Sequence, residues 1–364
     1  MTVFEELSQQ GIPYFYRSYS ALDRYFRQRS EDVLYLAVRC SLIDLAKALP
    51  DIEFPAIEGV DAAVTRGRMR VYLTCQEESD GRFTRDVYPV LDLLYDPAGD
   101  RFLDPYGVYP LLRQTRLGTA VNAKDCMRTV MDGAILISRY LYEDVEVPVV
   151  GTDDRTPEVE VHRTFITELF TSKQPWKGLA LLLEHGFVER VWPQFLPMNS
   201  TDQSKGHHPE GNVWVHSLET LRYRKTSDLL LSIALFLHDC GKPYSKRNGE
   251  RRFDKHADIG AELARKFLQS LRFPSGMIED VFFLVKYHMV PGALSALPVY
   301  RTDRIMSSAL FPIMLELYRC DLSSTYRGPN GYYEACKVYR AYLKHVNNPF
   351  RGTDGKKLMR LYVE

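Results

Sequence analysis

One segment constrains the fold more than any other. Residues Leu229 to Leu237 read LLLSIALFL, interrupted only by Ser232, and run straight into His238-Asp239 and then Cys240-Gly241-Lys242-Pro243. A helix that is apolar on every face is buried on nearly all sides, and this one is too short to span a bilayer. Glycine and proline then end it. An imidazole and a carboxylate therefore stand at the end of a core helix. Neighbouring helical positions are ~100° apart, so both side chains can turn toward one point. Buried charge is costly unless it is paired or bound to metal. Neutral imidazole beside carboxylate suits a borderline divalent ion such as Mn, Fe, Co, Ni or Zn.

The other histidines extend that reading. Of nine in the chain, six fall within residues 207–288. His216 lies upstream of the His238-Asp239 pair, and His256, His288 and Asp321 lie downstream, each in or beside an apolar helical segment. A helix-end cap with Asp239 paired to Lys242 would explain an isolated His-Asp dipeptide. It does not explain the order H…HD…H…H…D spread over separate helices. His207 and His208 precede Pro209 and read as a loop, either at the mouth of the site or a plain one. His162, His185 and His345 read as ordinary surface or half-buried histidines, and Cys240 as a buried thiol.

At 364 residues the chain has room for two or three domains. Texture changes near residue 150. Before it, short runs rich in Val, Tyr and Leu alternate with turn signals. Val71 to Thr74 and Tyr88 to Tyr95 read as strands, the second ending in the turn Asp96-Pro97-Ala98-Gly99-Asp100. From about residue 158 the apolar spacing is close to 3.6. Helices are expected over 158–171, 178–185, 210–223, 228–239, 257–271, 275–288, 302–322 and 332–345. The fold class expected is α+β: a small α/β first domain (1–150), a helical neck or linker (151–205), then an all-α domain with C-terminal helices (206–364). Lys+Arg and Asp+Glu are 47 each, so no global charge drives the chain onto nucleic acid or membrane. Six cysteines without a C-x-x-C pair, and an acidic N-terminal stretch unlike a signal peptide, point to a cytoplasmic setting.

The ligand order His216, His238-Asp239, Asp321 resembles that of the HD-domain metal-dependent phosphohydrolases. His208-Pro-Glu-Gly-Asn-Val-Trp-Val-His216-Ser-Leu resembles the HPEG-x-V-W-x-H-T-L entry of one subfamily, the HD domain attached to bacterial tRNA nucleotidyltransferases and poly(A) polymerases. Phe253-x-x-His256-x-x-x-Gly260-Ala261 and Val285-Lys-Tyr-His288-Met289 match that subfamily too. Glu168-Leu169, and Leu182 to Phe187 with Val191-Trp192-Pro193, resemble its neck helices. In front, Phe83-Thr84-Arg85-Asp86, Tyr95-Asp96-Pro97, Asp104-Pro105-Tyr106-Gly107 and Asp125-Cys126-Met127-Arg128 resemble nucleotidyltransferase motifs. That family's Gly-Gly loop and Asp-x-Asp pair are missing: Leu42-Ile43-Asp44 keeps one carboxylate, and Asp51-Ile52-Glu53 has the wrong setting.

The resemblance implies a degenerate nucleotidyltransferase-like first domain that has lost transfer chemistry, because one carboxylate cannot clamp two magnesium ions. For the second domain it implies a phosphomonoester or phosphodiester hydrolase acting on a phosphorylated small molecule, a nucleotide, a cyclic phosphate or an RNA 3′ end. The cofactor implied is one or two divalent ions, Mg included, held by His216, His238, Asp239 and Asp321. His256 and His288 would hold a second ion or the phosphate, with Asp239 bridging, and Lys242 would contact phosphate. Two other readings stay open: a non-catalytic nucleotide- or RNA-binding protein, and a working nucleotidyltransferase.

Overall fold

The structure, a computed structural model, describes residues 2–28, 32–55, 57–67, 69–76, 86–119, 125–140, 142–203, 211–248, 251–325 and 328–345. The chain divides into two compact units, residues 1–173 with 184–187, and residues 174–183 with 188 onward. Among the described residues no helix is long and apolar enough to cross a membrane.

The first unit is mixed α/β. Its elements are α1 (Val3–Gln9), β1 (Tyr14–Arg17), α2 (Ser18–Tyr25), β2 (Val33–Val38), α3 (Leu42–Ala48), β3 (Ala62–Arg66), β4 (Met69–Cys75), β5 (Leu94–Asp96), β6 (Arg101–Leu103), β7 (Arg116–Leu117), α4 (Cys126–Arg139), β8 (Asp144–Val145) and α5 (Val159–Thr171). Six strands form one sheet in the order β3-β4-β2-β1-β5-β6. Only β2 and β4 run parallel in it, in register from Val33↔Arg70 to Val38↔Cys75. Side chains alternate across a strand, and the two sheet faces differ accordingly. Leu34, Leu36, Val38, Val71 and Leu73 pack with Val3 and Leu7 of α1 and Leu45 of α3 in a buried core. The opposite face carries Val33, Tyr35 and Tyr72.

The expected strand over Tyr88 to Tyr95 is only partly a strand. Pro89–Asp92 forms a 3-10 turn, and pairing begins at Leu94. Proline has no N–H for a ladder, and the Asp92 carboxylate accepts the Asp86 backbone N–H at 2.9 Å, which closes the turn.

The second unit is helical, built from α6 (Pro175–Glu184), α7 (Phe187–Val191), α8 (Val213–Arg222), α9 (Leu229–Leu237), α10 (His256–Ser270), α11 (Ser275–Tyr287), α12 (Val290–Ala293), α13 (Val299–Met306), α14 (Phe311–Ser323) and α15 (Asn330–His345). One hairpin, β9 (Lys246–Asn248) with β10 (Arg251–Asp254), interrupts the helices. The single helix expected over 302–322 is two. Pro312 stands in the first turn of α14, where a missing N–H costs nothing, so the helix restarts there. Helix α9 is the centre of the unit: residues Leu231–Leu237 are all buried. Its Phe236 takes the edge of Trp214 from α8 at 5.4 Å and lies 6.1 Å from Trp192.

Candidate metal centre

Four helices and one helix-following turn bring the sequence-expected side chains to one place. Asp228 caps α9 by accepting the Leu231 N–H at 2.8 Å, and at the far end of that helix His238 and Asp239 are 1% and 3% exposed. His216 comes from α8 and is fully buried. His256 opens α10, His288 follows α11, and Asp321 lies in the last turns of α14.

Gly241 lets α10 approach. A Cβ there would sit 2.1 Å from the His256 carbonyl oxygen and 2.5 Å from the Gly260 nitrogen. The chain enters α10 through Phe253 and Lys255, both in the left-handed region at φ +65° and +59°. That region is uncommon for non-glycine residues. The entry aims His256 at the end of α9.

Each imidazole is held by its Nδ1. The Leu235, Phe253 and Val285 carbonyls lie 2.7, 2.9 and 2.7 Å from Nδ1 of His238, His256 and His288. A carbonyl only accepts, so in each neutral ring Nδ1 carries the proton and Nε2 keeps its lone pair. His216 reaches the same tautomer by another route. The Ser324 hydroxyl donates to the Asp321 carbonyl at 2.7 Å and so accepts from His216 Nδ1 at 3.2 Å.

The Nε2 atoms meet the carboxylates in two sets. His216, His238 and Asp321 can each offer one ligand atom, all within 4.8 Å of one another; so can Asp239, His256 and His288. Asp321 Oδ1 is 3.1 Å from His216 Nε2 and 3.9 Å from His238 Nε2. Asp239 faces both sets. Its Oδ2 is 3.5 Å from His216 Nε2 and 3.2 Å from His238 Nε2. Its Oδ1 is 3.5 Å from His256 Nε2 and 3.8 Å from His288 Nε2. Two ligands bonded at ~2.1 Å to one ion lie about 3.0 Å apart in cis octahedral and about 3.4 Å apart in tetrahedral geometry. The observed spacings fall in that neighbourhood, so the residues fit one ion in each set with Asp239 between them.

Electrostatics point the same way. Burial pushes the Asp239 carboxyl up, but Lys242, His238 and His216 outweigh it and hold the group well below the usual carboxylate range. Asp321 is likewise held low: the closeness of His216 and then His238 outweighs burial. Burial lowers His256 and takes His288 down to about 4, which keeps both rings neutral. Lys242 Nζ sits 2.5 Å from Asp239 Oδ2 and donates to Gln203 Oε1 at 2.7 Å. Gln203 had no signal in the sequence. It is 3% exposed and lies just ahead of the His208 motif, which does not include it. Burial pushes the Cys240 thiol up, and its Sγ lies 3.5 Å from the Gly260 carbonyl, so it is a neutral core thiol.

His207 and His208 lie outside the described residues, as do Phe83, Thr84 and Arg85. His162 is no surface residue: it is 7% exposed, edge-on to Phe187 at 6.3 Å. In the first unit Asp44 stands in the first turn of α3 with its side chain more than half exposed, bonded to the Ser41 hydroxyl and Lys47. Asp51 pairs with Arg66 and Glu53 with Arg70.

A helical unit with histidines and an adjacent His-Asp pair converging on two carboxylates defines an HD-type site, and residues 213–309 match the HD domain family. Asp321 lies past that span, and its place beside His216 rests on the distances above. Part of the chain is also similar in sequence to tRNA nucleotidyltransferases. It is 30% identical over 194 residues to the CC-adding tRNA nucleotidyltransferase of Thermus thermophilus, covering 50% of this chain and 43% of that protein. It is 32% identical over 142 residues to the A-adding tRNA nucleotidyltransferase of Deinococcus radiodurans, covering 37% and 32%. The chain thus spans half or less of the length of these relatives. In fold it is similar to the CCA-adding enzyme of Bacillus stearothermophilus solved with CTP, with a TM-score of 0.51 and 14% identity, covering 93% of this chain and 80% of that one.

Proposed function

We propose that the second unit is a metal-dependent phosphohydrolase that cleaves a phosphomonoester or phosphodiester on a nucleotide, a cyclic phosphate or an RNA 3′ end. One observation carries the reading. Four imidazoles have Nδ1 tied off and Nε2 turned toward two carboxylates, Asp239 buried and Asp321 half-buried, a donor set that suits divalent cations and little else. His216, His238, Asp239 and Asp321 would hold one ion. His256 and His288, with the second oxygen of Asp239, would hold another. A bound divalent ion lowers the pKa of water and stabilises charge developing on phosphorus.

The chain's own residues do the rest. The three backbone carbonyls and the Ser324 hydroxyl that hold the Nδ1 atoms keep the rings from rotating, so the donor set is preorganised. Lys242, now on Asp239, would move onto and orient an anionic phosphate oxygen, with Gln203 limiting where its ammonium can go. The relatives' names supply the nucleotide or RNA in the substrate class.

Nucleotidyl transfer, the reaction in those names, is the second reading, and the similarity to tRNA nucleotidyltransferases favours it. Against it, Asp44 is an exposed first-turn carboxylate bound to Lys47 and the Ser41 cap, and Asp51 and Glu53 are each taken by an arginine. The test is elemental analysis of the purified chain, then a screen of p-nitrophenyl phosphate, bis-p-nitrophenyl phosphate and 2′,3′-cyclic nucleotides with Mn, Fe, Co, Ni, Zn and Mg. Parallel assays follow incorporation of CTP and ATP into tRNA. Hydrolysis that is lost in Asp239→Asn supports the reading. Protein that takes up no divalent ion, or that adds nucleotides in an Asp44-dependent way, overturns it.

A further inference from the structure

The first unit holds a cavity of about 550 Å³ that the hydrolase reading leaves unused. Part of its wall is the sheet face opposite the α1 and α3 core. There Tyr35 and Tyr72 stack at 5.5 Å, and Tyr19 meets Tyr35 edge-on at 5.8 Å. The first turns of α4, with Arg128 and Asp132, supply another part. A smaller pocket of about 80 Å³ shares these three tyrosines and Asp132, and adds Glu168 of α5.

Charge decides what can enter. The larger cavity is lined by three arginines and seven carboxylates. Two of the arginines are already engaged. Arg17 donates to Thr74 and the Gly59 carbonyl and pairs with Asp86. Arg128 pairs with Asp86, Asp132 and, more loosely, Glu58. A polyphosphate would thus meet a carboxylate excess with these two guanidinium groups already committed.

The smaller pocket, lined by Asp132 and Glu168 and sharing the tyrosine wall, has unmet acceptors. Asp132 takes the Tyr19 hydroxyl on Oδ1 at 2.6 Å, while its Oδ2 is buried without a hydrogen bond and has Arg128 Nε only at 3.5 Å. Glu168 is 1% exposed and gives one oxygen to Arg139; the other, Oε1, is buried with no hydrogen bond. Burial raises Asp132 to about 6 and Glu168 to about 7, a cost that a nearby cation would relieve. Buried carboxylate oxygens call for N–H donors, and tyrosine rings favour a cation and its alkyl chain. Asp153 and Glu158, both exposed, line the same cavity and could take a second positive charge.

We propose that this cavity binds an aliphatic polyamine, one ammonium donating to Asp132 and Glu168 among Tyr19, Tyr35 and Tyr72, and another held by Asp153 and Glu158. The site is independent of the metal centre and of the hydrolase reading.

Spermidine is the probe, titrated calorimetrically into the full-length chain in EDTA, with 1,8-octanediol as the uncharged comparison and CTP as the anionic one. Saturable one-to-one binding of spermidine is expected, with no binding of the diol. Asp132→Asn should weaken it at least tenfold, and Glu279→Gln, an exposed acid of the second unit, should leave it unchanged. If Asp132→Asn fails to fold by circular dichroism, the exposed pair Asp153→Asn with Glu158→Gln replaces it and should weaken binding severalfold. Three results overturn the proposal: no saturation up to about 1 mM spermidine; equal affinity in the variants, which marks nonspecific attraction; or CTP binding more tightly than spermidine with the same sensitivity to Asp132→Asn.

Discussion

Nε2 of His256 faces Nε2 of His288 at 3.3 Å, although each ring donates its only proton, from Nδ1, to a backbone carbonyl. Two lone pairs directed at each other at that distance repel unless a cation lies near both. Asp239 Oδ1, 3.5 and 3.8 Å from the two nitrogens, supplies the negative charge that would draw one in. The arrangement is strained as a plain hydrogen-bonded core and relaxed as a cation site.

The first prediction concerns loading. His256→Ala or His288→Ala should drop the chain from two bound divalent ions to one, measured by elemental analysis after saturation and desalting. Turnover should fall by orders of magnitude, with little change in melting temperature, because no large apolar group leaves the core. Asp239→Asn should lose both ions. Full loading in the two histidine variants would leave a mononuclear site.

A Lys242 variant should separate metal binding from phosphate binding. Its ammonium neutralises Asp239 Oδ2 at 2.5 Å in the metal-free arrangement and so competes with an ion for that oxygen. Lys242→Met should bind Mn at least as tightly as the parent chain by titration calorimetry. Its kcat/KM on the best phosphoester should fall tenfold or more, since a charge-assisted contact to phosphate is lost. A variant with weaker Mn binding and unchanged kinetics would make Lys242 part of the site's scaffold instead.

Gly241 makes a steric prediction. A methyl there meets backbone, the His256 carbonyl at 2.1 Å and Gly260 nitrogen at 2.5 Å, and backbone cannot swing aside as a long side chain can. Gly241→Ala should push α10 away, lowering the melting temperature by several degrees and weakening the His256 and His288 site first. Gly276, in α11, has nothing within 4 Å of its would-be Cβ. Gly276→Ala should therefore melt at the same temperature or slightly higher, given alanine's better helix propensity. Equal melting of the two variants would show that α9 and α10 are not in tight register.

Much of this centre was legible because its residues are polar groups stranded in apolar helices. His238-Asp239 after LLLSIALFL is conspicuous for that reason, and a helical period carries His216, His288 and Asp321 with it. Contacts made across the fold left no comparable trace. Gln203 touches Lys242 from 39 residues away, and the Ser324 hydroxyl that sets the His216 tautomer is one serine among many. The hairpin β9–β10 was missed because its two short strands lie between strong helical signals. In the first unit β4 was legible from Val71 to Thr74. Tyr88 to Tyr95 misled because it is a short apolar run bounded by turn signals, while Pro89, lacking an N–H, sets a 3-10 turn and pairing starts only at Leu94. Asp132 and Glu168 were invisible as a pair, since nothing in one helix says what carboxylate another helix brings beside it.

The last prediction tests burial far from the metal centre. His162 is 7% exposed on α5, and desolvation lowers its pKa from 6.5 to about 4. The unfolded chain, with the ordinary value, takes up a proton before the folded one does. Folding stability tied to His162 is therefore intact above about pH 6.5 and is lost progressively as pH falls toward 4. Between pH 7 and 5 that amounts to about 2 kcal/mol. His162→Phe keeps an aromatic ring against Phe187 and removes the titration. Urea unfolding of the parent chain and the variant, followed at pH 7, 6 and 5, isolates the effect from the other groups that titrate. The variant should be less sensitive to acid by that margin. Parallel stability profiles would mean that His162 takes up its proton in the folded state as readily as in the unfolded chain.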